Sequence, residues 1–119
     1  MNDITRIDQS ARRSRALIHD GIVYLSGQVP DDRSAGVQEQ ARQVLDKIDA
    51  LLKEAGTSKS RILSAQIWLK TMDDFKQFNA VWDAWVTPGQ TPTRSCGKVE
   101  MNDPQCLVEI TVNAATEQK

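Results

Sequence analysis

Two helical hydrophobic patterns, separated by a segment of strand-like alternation, constrain the fold of this chain more than any other feature. From about residue 34 to residue 55, apolar side chains recur at every third or fourth position, which predicts a helix with one buried face. These positions are Val37, Ala41, Val44, Leu45, Ile48, Leu51, Leu52 and Ala55. Gly56 follows at the place where a helix C-cap adopts a left-handed conformation, so the helix is expected to end there.

Residues 61 to 70 alternate between two sets of side chains, as a strand does. One face of this strand is expected to carry Leu63, Ala65, Ile67 and Leu69, and the other Ile62, Ser64, Gln66 and Trp68. A second helix begins after Thr71–Asp74, which has the spacing of a capping box. Its buried stripe is predicted to comprise Phe75, Phe78, Trp82 and Trp85, and Pro88-Gly89 ends it.

Further strands are predicted on both sides of this unit. Residues 15 to 28 are typical of two β segments joined at Asp20-Gly21, a dipeptide that favours a tight hairpin turn. Residues 92 to 101 and 106 to 115 form two more strands, joined by Asn102-Asp103-Pro104.

The resulting order is β-β-α-β-α-β-β in a single domain over residues 1–119, with its core at about 15–115. Both helices need an apolar partner, so we expect them to cover one face of a mixed sheet in a two-layer α+β fold. The opposite face would carry Ile62, Trp68 and Leu107, with either Val23 and Leu25 or Ile22 and Tyr24. Such a face is too apolar to stay in water, which predicts a homo-oligomer.

Composition excludes several classes of function. Fifteen basic and 16 acidic residues give a net charge of −1, which argues against a charge-driven nucleic-acid binder. The basic cluster of Arg12, Arg13 and Arg15 lacks interleaved aromatic residues, so RNA binding has little support. No segment has the length and hydrophobicity of a membrane span or a signal peptide, and a cytoplasmic location is expected.

Two cysteines and one histidine leave few options for metal or relay chemistry. Cys96 and Cys106 have no second Cys or His at metal-binding spacing, so we expect no zinc site. The single His19 lies in a predicted strand and is interpreted as an ordinary histidine.

The last two strands hold the one unusual polar pattern. If they form a hairpin through residues 102 to 105, Arg94, Cys96 and Glu109 lie on one face. Cys106 would then lie opposite Met101 rather than Cys96, which argues against an internal disulfide between the two cysteines. The Arg and Glu would form either a salt bridge between subunits or a ligand site, and the pattern alone favours the salt bridge.

Several short motifs together resemble the RidA/YjgF family of reactive-intermediate imine/enamine deaminases. They are Ser26-Gly27-Gln28-Val29-Pro30, Asn79, Pro92-Thr93-Arg94-Ser95-Cys96 and Val108-Glu109-Ile110. The similarity covers roughly residues 15 to 115, and the Pro-x-Arg-Ser-Cys motif with its later Glu is the most specific part.

The resemblance implies a chorismate-mutase-like fold assembled as a homotrimer, with clefts between neighbouring subunits and no cofactor. It implies a cytoplasmic hydrolase that detoxifies reactive 2-imino and 2-enamino acids, such as 2-aminoacrylate, by converting them to 2-keto acids and ammonia. By the same resemblance, Arg94 holds the substrate carboxylate and Cys96 lines the pocket. Glu109 contacts the water or the imine, and Gly27 belongs to the cleft backbone.

Two positions depart from the family pattern. Ala11–Arg15 replaces an aromatic-containing Gly-Pro-Tyr stretch, with Arg13 nearest the aromatic position, and Gly97 replaces a larger aliphatic residue. Arg13 gives either a second anion contact, suited to a diacid or bulkier substrate, or a surface charge; the surface interpretation is favoured.

Two other kinds of function stay open at this point. A non-catalytic trimer that binds a small carboxylate would use the same arginine. An interaction protein, such as a holdase or an RNA-acting protein, is the other, since such activities are also linked to this family.

Overall fold

The computed structural model describes residues 3–117, and its elements match the predicted order with one strand added in front. The strands are β1 (Thr5–Gln9), β2 (Ser14–His19), β3 (Ile22–Leu25), β4 (Ile62–Leu69), β5 (Thr93–Lys98) and β6 (Val108–Ala115). The helices are α1 (Val37–Glu54) and α2 (Phe75–Trp85), and single 3₁₀ turns at Lys59–Arg61 and Met72–Asp74 precede β4 and α2. No helix within residues 3–117 is long and apolar enough to span a membrane.

The six strands form one mixed sheet in the order β1-β2-β3-β6-β4-β5. Only β4 and β5 pair in parallel, and the other neighbours are antiparallel. One continuous core joins the apolar faces of both helices to alternate residues of the strands. The predicted two-layer α+β fold is therefore confirmed.

The hairpin prediction at the start of the chain is also confirmed. Asp20 and Gly21 both have positive φ, at 52° and 79°, as the tight turn between β2 and β3 requires. The sequence patterns missed β1, because most of this edge strand is exposed and it carries no apolar alternation. Gly56, with φ of 84°, follows α1 as predicted.

The start of β4 corrects one prediction. Ile62 is buried at 5% exposure, whereas Leu63 is 46% exposed, the reverse of the faces expected from strict alternation. The pairing with β6 shifts between Ile62 and Ser64. An irregularity of this kind moves one residue to the other face, which alternation alone does not reveal.

The pairing of β5 corrects a second prediction. β5 and β6 do not form a hairpin, because β4 lies between them in the sheet. Since α2 connects β4 to β5, these elements make a β-α-β crossover, which brings the second strand back parallel to the first. Residues 99–107 then cross to β6, and Cys106 does not lie opposite Met101. Cys96 and Cys106 are both free thiols.

Candidate functional site

Arg94 lies on the helix-covered side of the sheet, beside Ala65 of β4. Its Cζ is 5.4 Å from the centroid of the Trp82 ring and 5.9 Å from those of Phe75 and Phe78. Phe78 and Trp82 of the predicted buried stripe pack in the core, whereas Phe75 is 37% exposed, against the prediction. The three rings together form a wall of cation–π contacts for this guanidinium. The wall fixes a half-buried cation at the edge of the sheet.

Asn79 lies on the same stripe of α2, one turn from Phe75 and one from Trp82. Its Oδ1 is buried and accepts no hydrogen bond from any group in residues 3–117. A buried acceptor without a donor costs free energy. The stripe therefore carries an unsatisfied polar atom in addition to its packing residues.

Cys96 follows Arg94 on the same side of the sheet, beside Ile67, and packs against the core. Burial raises the pKa of its thiol, and the charge of Arg94 opposes this shift. The thiol is therefore protonated at neutral pH, and nothing here activates it as a nucleophile.

Glu109 lies on the other side of the sheet, beside Trp68. Burial raises the pKa of its carboxyl, against an opposing effect of the Arg33 charge. Gly27 packs directly on it, because a Cβ at Gly27 would overlap the Glu109 carboxylate and lie 3.2 Å from the Thr111 hydroxyl. The absence of a side chain at Gly27 is what leaves room for this carboxylate.

The expected placement of Arg94, Cys96 and Glu109 on one face is wrong. In β4, Ile67 lies beside both Cys96 and Ile110, so Cys96 shares its face with Ile110 and not with Glu109. The cause is the parallel pairing of β5 with β4, which replaces the assumed hairpin register. No salt bridge within residues 3–117 includes Arg94 or Glu109.

A cavity of about 550 Å³ lies at the ends of β2 and β3, beside Gly27. Arg13, Arg15 and Lys47 line it, together with Asp8. The structure therefore brings together two of the predicted site residues, Gly27 and Arg13, although more than a dozen positions of the chain separate them.

Sequence reasoning missed an ion pair near the site. Arg33 Nη1 donates to Asp103 Oδ2 at 2.7 Å, across 70 positions of the chain. The backbone N–H of Gln105, followed by Arg33, lowers the pKa of Asp103. No local signal predicts such a pair, because it depends on two loops meeting. Among residues 3–117, no group of three or more His, Cys, Asp or Glu side chains is arranged to hold a metal ion.

The uncovered side of the sheet has a polar centre between apolar flanks. Ile22 and Tyr24 lie on it with Trp68, whereas Val23 and Leu25 are buried in the core, which decides between the two predicted sets. Its centre carries Ser64, Gln66, Thr111 and Asn113. Tyr24 is 42% exposed. Burial of this face against another copy of the chain stays a prediction.

Comparison with known proteins finds similarity over almost the whole chain. The family model described as Endoribonuclease L-PSP matches residues 3–116. A RutC family protein of Haemophilus ducreyi is 43% identical over 112 residues, covering 94% of this chain and 96% of that protein. The RutC family protein YoaB of Escherichia coli is 41% identical, covering 94% of this chain and 97% of YoaB.

Solved structures show the same architecture. A YjgF family protein of Neisseria meningitidis superimposes with a TM-score of 0.96 at 38% identity, covering 98% of each chain. An uncharacterised protein of Pseudomonas aeruginosa gives 0.94 at 41% identity, covering 97% of this chain and all of that one. A Rid family protein of Yersinia pestis gives 0.87 at 29% identity, covering 96% of this chain and all of the other.

Proposed function

Because this chain belongs to the L-PSP/YjgF/Rid family, we propose that it hydrolyses 2-imino and 2-enamino acids, such as 2-aminoacrylate, to 2-keto acids and ammonia. The observation that carries this function is Arg94, a half-buried guanidinium held against three aromatic rings and unpaired with any carboxylate of residues 3–117. A planar guanidinium binds a carboxylate through two parallel hydrogen bonds, which also orients the adjacent C2 carbon.

The active site forms between two copies of the chain, in a homotrimer. Arg94 and Glu109 lie on opposite sides of one sheet, so a single chain does not present both to the same small molecule. Arg94 and Cys96 of one copy would meet Glu109 and Gly27 of the next. The apolar flanks of the uncovered sheet face, with Tyr24 and Trp68, favour such an assembly.

The reaction needs little chemical machinery. An enamino acid takes a proton at C3 and becomes the iminium ion, and an imino acid becomes the same ion by taking a proton at its nitrogen, so that C2 is electrophilic in both. Glu109 holds a water and accepts its proton as the water oxygen bonds to C2. The carboxyl returns that proton to the amine, and the C–N bond then breaks as the C2 hydroxyl gives its proton to Glu109 and becomes the keto oxygen. Ammonia leaves, with no change of oxidation state. The reaction is fast in water, so modest positioning suffices.

Coupled measurement of ammonia release tests this function directly. With 2-aminoacrylate generated in situ, Arg94→Lys should lose most activity, about 10- to 100-fold in kcat/KM, because an ammonium does not hold the carboxylate at two points. Cys96→Ala is the matched control in the same strand and should stay active, because its thiol stays protonated.

Other outcomes would contradict one or both assignments. Activity unaffected by Arg94→Ala would refute the carboxylate clamp. Complete loss in Cys96→Ala would point to covalent catalysis. A melting temperature that rises when a small carboxylate is added, without turnover of any imino acid, would indicate a non-catalytic binding protein.

A further inference from the structure

We propose that the cavity beside Gly27 binds a second carboxylate of the substrate, so that the preferred substrates are 2-imino dicarboxylic acids. This preference rests on the proposed function and names its substrate class. The cavity, of about 550 Å³, has three cationic side chains in its lining, Arg13, Arg15 and Lys47, against two carboxylates, Asp8 and Asp31. Its lining thus carries a net positive charge.

Two of these cations are fixed in place by the fold. Arg15 Nη2 donates to Oε1 of Gln28 at 3.2 Å, and the Gln28 side chain is itself only 4% exposed. Lys47 Nζ donates to the carbonyl of Val29 at 2.8 Å and to Oδ1 of Asp31 at 2.9 Å. Because both already have partners, they give the cavity a rigid wall.

Arg13 is the cation that stays available for a ligand. Its Nη1 donates to the backbone carbonyl of Asp8 at 3.2 Å, and no carboxylate of the described residues pairs with it. Its backbone is held in a turn by Ser10, whose N–H donates to the Arg13 carbonyl at 2.7 Å and whose hydroxyl accepts the Arg13 N–H at 3.2 Å. A guanidinium with free donors on a fixed turn is suited to a carboxylate.

Gly27 connects this cavity to the proposed chemistry. It lines the cavity and also packs on the Glu109 carboxylate. A substrate whose C2 reacts beside Glu109 therefore has its distal end at the cavity, while its C1 carboxylate meets Arg94 of the neighbouring copy.

A small anion fits this cavity better than RNA does. None of its lining residues is aromatic, so it has no surface on which a base would stack.

Selectivity between two imino acids tests the assignment. Amino acid oxidases can generate 2-iminoglutarate, a dicarboxylate, and 2-iminobutyrate, a monocarboxylate, in the assay. We expect Arg13→Gln to lower kcat/KM about tenfold for the dicarboxylate and to leave the monocarboxylate unchanged. Arg12→Gln is the control, because Arg12 lies one position away and does not line the cavity. An equal loss on both substrates, or no loss on either, would refute the subsite.

Direct binding separates this preference from the proposed function. If no imino acid is turned over, titration calorimetry with glutarate and butyrate still decides the question. Tighter glutarate binding that Arg13→Gln abolishes and Arg12→Gln preserves would support the subsite while the deaminase function fails. Equal binding of the two acids would refute it. Binding of an RNA oligonucleotide that depends equally on Arg12 and Arg13, with no glutarate binding, would also refute it.

Discussion

Glu109 is a carboxyl group that folding makes harder to ionise. Its pKa is raised above the ordinary 4.5 mainly by burial, and the Arg33 charge opposes this shift only in part. A raised pKa suits a group that must both take and return a proton near neutral pH. It also means that the ionised form costs folding free energy.

Glu109→Gln should therefore separate activity from stability. Activity should fall by about 100-fold or more, because the variant has no base. The native state binds the Glu109 proton more tightly than the unfolded state does, so the wild type loses stability as pH rises from 4.5 through the raised pKa. Thermal melting measured at pH 4 and pH 8 should show that the stability of Glu109→Gln relative to the wild type increases as pH rises. A larger loss of stability in the variant at pH 8 would contradict the burial effect.

Gly27 has no side chain, and the Glu109 carboxylate occupies the position that a Cβ would take. In Gly27→Ala the new methyl group would displace the Glu109 carboxylate, so we expect at least about a tenfold loss of kcat/KM and about 1 to 3 kcal/mol of destabilisation. Gly36→Ala is a suitable control, because a Cβ there meets nothing within 4 Å. Kinetics and urea unfolding of both variants check this, and equal activity of the two would refute the role of Gly27.

Helix α1 does more than cover the sheet, because it also secures two loops through Gln40. This side chain is fully buried, and its Nε2 lies 3.0 to 3.3 Å from the carbonyls of Arg33, Ala35 and Gln105. Its Oε1 accepts the N–H of Leu107 at 2.8 Å. Gln40 thus holds the segment that leads into β6 and Glu109.

Gln40→Leu should destabilise the fold by about 3 kcal/mol, because these four backbone groups lose a hydrogen-bond partner and the buried amide is removed. Gln38→Leu, two positions earlier, loses one exposed hydrogen bond to the Gln77 carbonyl and should cost about 0.5 kcal/mol. Urea denaturation of both variants measures the difference. A similarly small loss of stability in both variants would show that the hydrogen bonds of Gln40 do not secure these loops.

The helices and strands were largely predictable one at a time, whereas their pairing was not. The stripe of α1 and the strand predicted at residues 106 to 115 each depend on residues close in the chain, and both match the structure. The neighbour of β5 depends on where α2 returns the chain, which a local pattern does not contain. The ion pair of Arg33 and Asp103 was missed for the same reason.

Across the whole molecule, the sheet separates the two proposed catalytic residues, so the proposed function requires assembly of at least two chains. A mixed trimer of Arg94→Ala and Glu109→Gln chains should regain about a third of wild-type activity, because a site at a cyclic interface takes one residue from each neighbour and one of the three interfaces then has both residues intact. Co-expression of the two variants with different tags, purification of mixed trimers and an ammonia assay measure this. No recovery in confirmed mixed trimers would refute a shared site, as would a stable monomer in sedimentation at micromolar concentration.

Residue types and their local spacing were sufficient to predict the two-layer α+β class, the first hairpin and both helices, whereas the resemblance to the RidA/YjgF family supplied the residues of the candidate site. They were sufficient because helical and strand periodicities depend on near neighbours in the chain. Only the tertiary structure decided that Arg94 and Glu109 lie on opposite sides of the sheet and that Arg13 shares a cavity with Gly27. Strand order fixes which side chains meet, and strand order is set by contacts between distant segments rather than by any one of them.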